Sequence, residues 1–180
     1  MRVLALGGIR SGKSQWAEAT LTTAAGPNGH VRYVATGSTA ADPEWSARIA
    51  VHRQRRNCLW STVESTDVAM QLRIDDATPT LVDDMGGWLV AAMDRRGTWT
   101  GDVVMTDMEA DVDDLVDAIG SFRGPLALVS PEVGLTVVPA IESGRRFADG
   151  LGMLNQRLAS VCDHVVLVVA GQPLTVKETS

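Results

Sequence analysis

Several short runs along the chain are apolar almost without interruption: Arg2 to Leu6, Val31 to Ala35, Thr80 to Asp83, Leu126 to Ser130 and Val165 to Ala170. A strand covered on both faces has no polar side to alternate with, so such runs read as strands buried within a sheet. Between them lie segments long enough for crossover helices: Lys13 to Ala24, Pro43 to Arg56, Gly87 to Arg95, Met105 to Phe122 and Pro139 to Val161. Strand and helix in alternation predict a mainly parallel sheet with helices on both faces. The second helix has a marked start, with Asp42 as N-cap and Pro43 at the first helical position, where a missing N–H costs nothing. Trp45, Ile49 and His52 then share one face. Leu59 to Glu64 predicts a further extended piece, an edge strand or a hairpin, while Gly97 to Gly101 and Gly134 to Thr136 read as loops. No repeat, linker or composition break divides the 180 residues, so one domain spanning 1–180 is expected.

Composition narrows the function classes. Apolar residues make up 45% and charged residues 21%, which places the chain among globular proteins rather than disordered ones. A net charge of -6 gives no field that favours a nucleic-acid backbone or an anionic membrane, so neither partner is expected. The basic clusters at Arg95-Arg96 and Arg145-Arg146 read as solvated helix faces; for Arg53-Gln54-Arg55-Arg56, phosphate contact and a solvated face both stand open. Cys58 and Cys162 have neither CxxC nor metal spacing and read as buried or idle thiols. With no leader pattern and no apolar run of membrane-spanning length, a cytoplasmic location is expected.

The sharpest chemical signal follows the first strand. Gly7, Gly8, Ile9, Arg10, Ser11, Gly12, Lys13 and Ser14 spell G-x-x-x-x-G-K-S between a strand and a helix. Glycines let backbone N–H groups curl around phosphate oxygens, and the helix N-terminus adds its partial positive charge. Lys13 would reach the β- and γ-phosphates, and the Ser14 hydroxyl would ligate Mg²⁺. The partner carboxylate is expected where the Thr80 strand ends: Asp83 is preferred, with Asp84 as alternative ligand or helix cap. Of three histidines, His30 and His164 read as structural, and His52 sits mid-helix among arginines.

The stretches GGIRSGKS, ARIAVHRQRR followed by WSTVE, LVDDMGGWL, PEVGLTVVP, NQRLA and VVLVVAGQPLTVK occur in this order across almost the whole chain. Together they resemble the CobU family, the bifunctional adenosylcobinamide kinase and adenosylcobinamide-phosphate guanylyltransferase of cobalamin biosynthesis. The resemblance implies a RecA-like P-loop α/β fold and an enzyme that phosphorylates the aminopropanol hydroxyl of adenosylcobinamide. It then transfers GMP from GTP onto that phosphate, with release of pyrophosphate. The residue matching the family's guanylylated histidine is His52, which makes His52 and Lys13 the catalytic pair. Nucleotide contacts are implied for Ala35, Thr36, Gly37, Arg53, Gln54, Arg55, Arg56, Glu64 and Asp83 besides the glycine loop. Mg²⁺, GTP, ATP and a homotrimer with sites between subunits belong to the same expectation. Trp16, Trp45, Trp60, Trp88 and Trp99 are then either core residues or anchors at subunit contacts.

Several positions depart from the resembled pattern. Asn57 stands where Pro is usual, Asp84 where Cys is common, Gly86 where Thr is common and Pro131 where Asn is usual, while Gly37 replaces Ser and Ala148 and Met153 replace arginines. These changes fall mostly on the acceptor half of the implied site. They leave two alternatives beside the bifunctional enzyme: a divergent enzyme with only kinase or only nucleotidyl-transfer activity, and a nucleotide-binding regulatory subunit without turnover.

Overall fold

A computed structural model describes residues 1–37, 59–99 and 108–179 of the chain. The elements are β1 (Arg2–Gly7), α1 (Lys13–Ala25), β2 (Val31–Ala35), β3 (Trp60–Glu64), α2 (Val68–Ile74), β4 (Thr80–Asp83), α3 (Met85–Arg96), α4 (Glu109–Ser121), β5 (Leu126–Pro131), α5 (Glu142–Val161), β6 (His164–Val169) and β7 (Gln172–Glu178). The helix expected over Pro43 to Arg56 lies outside the described residues, as do the N-terminal residues of the one expected from Met105.

The strands form one seven-stranded sheet in the order β3-β2-β4-β5-β1-β6-β7. All neighbours run parallel except β7, which returns antiparallel along β6. The glycine-loop strand β1 and the acid-bearing strand β4 are separated by β5, and helices cover both faces, as the RecA-like P-loop expectation requires. The segment expected to be an edge strand or hairpin is the parallel edge strand β3.

Adjacent residues explain the unbroken apolar runs. Leu4 faces the α2–α5 layer and Ala5 faces α1, and both are fully buried. On the α1 side Ala17 and Leu21 pack with Ala5, Tyr33, Leu81, Val129 and Val166. On the other side Leu89 and Met93 of α3, Leu115 and Ile119 of α4, and Leu151 and Leu158 of α5 pack with Leu4, Val34, Val82 and Leu128. Trp88 is a core residue of this layer. Cys162 is buried beside it, and loss of solvent pushes its thiol pKa up to about 12, in keeping with an idle thiol.

Two elements went unpredicted. Helix α2 is only seven residues long, too short for periodicity to show, although Asp67 caps it by accepting from the Met70 N–H at 3.0 Å. Strand β7 is exposed along most of its length, Leu174 and Val176 included, so it lacks the apolar signature of the others. The connecting turn places both Ala170 and Gly171 at positive φ, the geometry of a two-residue hairpin.

Arginine–aspartate pairs join the helices of the thicker layer. Helix α4 contacts α3 through Arg96–Asp111 at 2.7 Å, α5 through Arg157–Asp113 at 2.5 Å and α2 through Arg73–Asp114 at 2.6 Å. Helix α5 begins at Glu142 rather than Pro139, and Arg145 donates to the Pro139 and Ala140 carbonyls that precede it. No described helix is long and apolar enough to cross a membrane.

Candidate active site

The glycine loop runs from the end of β1 into α1. Gly12 holds φ at 94°, and a Cβ there would lie 3.0 Å from Gly171 Cα, so two independent constraints demand glycine. Arg10 also takes a left-handed φ, of 57°. At Gly7 a Cβ would meet Ser11 Oγ at 2.4 Å and the Val168 carbonyl at 2.7 Å, so the loop folds tightly back on its own strand. Neighbouring backbone fixes it from two sides: Glu132 N–H donates to Gly7 O at 3.0 Å, and Gly171 N–H donates to Ser11 O at 2.8 Å. Ile9 is exposed, Ser11 Oγ is buried without a hydrogen-bond partner among the described residues, and Lys13 Nζ donates to Gly8 O at 3.1 Å. Ser14 lies in the first turn of α1.

Sheet register brings the remaining candidates to the same edge. Glu64 pairs with Ala35, Ala35 with Asp83, Asp83 with Val129, and Val129 with Ala5, two residues before Gly7. With strands about 5 Å apart, Asp83 stands about 10 Å from β1 on the same row. Thr36 follows that row and is buried; its hydroxyl donates to the Asp84 carbonyl. Gly37 is the last residue of the first described segment. His52, Arg53, Gln54, Arg55 and Arg56 lie outside the described residues.

The adjacent acids serve different surroundings. Asp83 accepts from Tyr33 Oη at 2.8 Å, and Tyr33 belongs to the α1 face of the sheet. Asp84 is the N-cap of α3, accepting from the Gly87 N–H at 2.8 Å. Loss of solvent and the charge of Asp83 push the Asp84 pKa up to about 6, against the opposing pull of the Gly87 N–H and Lys13. The peptide between the two acids is cis. Among the described residues no cluster of three or more His, Cys, Asp or Glu gathers for a metal. Mg²⁺ carried by a nucleotide asks for less, since phosphates and waters supply most of its oxygens, and one hydroxyl with one carboxylate fits that need.

A cavity of about 420 Å³ opens on the α3 side of this edge. Thr36, Gly37 and Thr66 line it at the ends of β2 and β3, Asp84 and Pro131 at the ends of β4 and β5, and Val90, Ala91 and Phe147 along the helices. Four of the positions that depart from the resembled pattern, Gly37, Asp84, Gly86 and Pro131, meet on its wall. A Cβ on Gly86 would stand 3.0 Å from Pro131 Cγ and 3.1 Å from Asp84 Oδ1, so the absent side chain at 86 makes room for the proline.

Sequence reading gave no role to the residues that hold this site in place. Tyr33 looked like strand filler, although its register two residues before Ala35 puts its ring beside the strand-end acid. Asn155 is buried in α5, where its Oδ1 accepts from Ser130 Oγ at 2.6 Å and its Nδ2 donates to Pro131 O at 3.1 Å. Its place at the head of the NQRLA stretch was the available signal. Ala170-Gly171 between two β-rich runs was the signal for the turn that supports the loop.

A family model described as cobinamide kinase / cobinamide phosphate guanyltransferase, CobU, matches residues 3–176. Over 98% of both chains the protein is 36% identical to the bifunctional adenosylcobalamin biosynthesis protein CobP of Pseudomonas aeruginosa. It is 33% identical to CobU of Escherichia coli and 34% identical to CobU of Salmonella typhimurium, in each case over 98% of this chain and 100% of the relative. Among solved structures, the P4 protein from bacteriophage phi6 in complex with ADP aligns with a TM-score of 0.47 and 14% identity over 99% of this chain and 55% of that one, too remote to bear on activity. A match that runs from the first strand into the last, and relatives alike over almost their full length, make this chain a member of the CobU family.

Proposed function

We propose that this member of the family phosphorylates the aminopropanol hydroxyl of adenosylcobinamide, and then transfers GMP from GTP onto that phosphate through a guanylyl-His52. The observation that carries the reading is the convergence of the backbone-pinned glycine loop and the acid-bearing end of β4 on one sheet edge, in a chain of this family. Backbone N–H groups of Gly8 to Ser14 bind the phosphate chain, and Lys13 offsets the charge that develops on the leaving group. Asp83 and Ser14 are the residues that would hold Mg²⁺, and Asp83 is preferred to Asp84 because it faces the α1 side while Asp84 is engaged as a helix cap. When bound, Mg²⁺ supplies charge neutralisation on the phosphates.

His52 attacks the α-phosphorus of GTP as the neutral imidazole; the N–P bond forms as the P–O bond to pyrophosphate breaks. The acceptor phosphate then displaces the imidazole, which leaves His52 free for another cycle. Ala35, Thr36, Gly37, Glu64 and the Arg53 to Arg56 run complete the proposed nucleotide contacts. GTP and ATP both remain in the reading as phosphate donors for the first step, and the working unit is a homotrimer of single-domain chains in the cytoplasm.

The test is incubation with GTP labelled at its α-phosphate and Mg²⁺, without corrinoid, followed by denaturing electrophoresis. An acid-labile, alkali-stable label on the wild type that is absent from His52→Ala is expected. Equal labelling of both proteins would refute the histidine route. No label on a folded, GTP-binding wild type would point to a kinase-only or regulatory relative.

A further inference from the structure

We infer that the cavity between the strand ends and α3 is the acceptor pocket, and that it takes the short amino-alcohol arm of the corrinoid. This rests on the proposed function and deepens it. The direction of the donor decides which substrate the cavity serves. Lys13 reaches the β- and γ-phosphates, so a triphosphate in the glycine loop ends at its γ-phosphorus near the strand-end acids, and an attacking oxygen must arrive from beyond that point. The cavity lies there, across β5 and β4 from the loop strand, with Asp84 on its wall.

Size and lining agree with an arm rather than a whole ligand. A volume of about 420 Å³ is too small for a corrin macrocycle and ample for an aliphatic side arm. Val90, Ala91, Pro131 and Phe147 present carbon to such an arm. Asp84 and Asp94 are among the residues that line the cavity, and acidic residues there disfavour a second anion, so the pocket receives the arm as the alcohol, before it is phosphorylated. The macrocycle then remains at the mouth, outside the described walls.

Filling the cavity tests this. Ala91→Trp and Val90→Trp each place an indole in the space from a different turn position of α3, so the experiment does not depend on one variant folding. Binding of adenosylcobinamide is measured by equilibrium dialysis with a non-hydrolysable GTP analogue present, and self-labelling with α-labelled GTP is measured without corrinoid. A rise of about tenfold or more in Kd for adenosylcobinamide, with labelling and analogue affinity retained, is the expected result. Weakened analogue binding with adenosylcobinamide affinity unchanged would assign the cavity to the nucleoside and overturn the inference. Unchanged affinity for both in folded variants would also overturn it. A wild type that binds adenosylcobinamide in this variant-sensitive way yet transfers nothing would sink the proposed function and leave the pocket standing.

Discussion

At the scale of single residues, local hydrogen bonds set the ionisation of Asp75. Asp75 follows α2, and its carboxylate accepts from the N–H groups of Thr78 at 3.0 Å and Ala77 at 3.2 Å. The Thr78 side chain and N–H lead in lowering its pKa from the usual 3.8 to about 2, with Arg32 assisting. A depressed folded-state pKa means that the carboxylate stabilises the fold fully above about pH 4, and that this contribution fades as pH falls towards 2. Asp75→Asn keeps an oxygen acceptor but cannot titrate. Acid unfolding followed by circular dichroism is therefore expected to show the wild type more stable at pH 5 and the two proteins converging near pH 2; parallel curves would contradict this. At the same scale the glycine loop was fully legible in sequence, because its spacing is itself the chemistry. Tyr33 and Asn155 were not, since each matters through a partner roughly 50 and 25 residues away in the chain.

At the scale of elements, the approach of α3 to the end of β5 depends on a matched pair. Threonine in place of Gly86 would drive its Cβ within 3.0 Å of the Pro131 ring, in a packed wall where extra carbon costs about 1–3 kcal/mol. Pro131→Asn removes the ring. The double variant is expected to recover part of the loss, with a coupling of about 1 kcal/mol in a denaturant-melt cycle, and strictly additive effects would show that the two positions are independent. A second inter-element tie runs from the edge of the sheet to α5. Lys177 on β7 places its ammonium against the carbonyls of Ala159 and Cys162, both at 2.8 Å, where the helix leaves its last carbonyls unsatisfied. Lys177→Met is expected to cost about 1–2 kcal/mol and to speed hydrogen exchange in the last turn of α5 more than elsewhere. Such ties explain what the periodic pattern conceals. The buried strands announced themselves by apolar runs, whereas β7 is held by one hairpin and one lysine and carries no such run.

At the scale of the whole molecule, strand order was the least legible property. Alternation of strand and helix predicts a parallel sheet, but only long-range pairing decides that β1 sits between β5 and β6 rather than beside β2. That placement has a consequence for how the protein comes into being. The loop strand leaves the ribosome well before its two partners, β5 and β6, and before the Gly171 turn that donates to Ser11. A nascent chain therefore carries its future phosphate cradle as an unpaired apolar strand until β5 emerges, with long loops to close before that strand gains a neighbour. The capacity to hold a nucleotide waits on those later strands, so a chain that stops before them is not a weaker enzyme but one whose cradle has never been assembled.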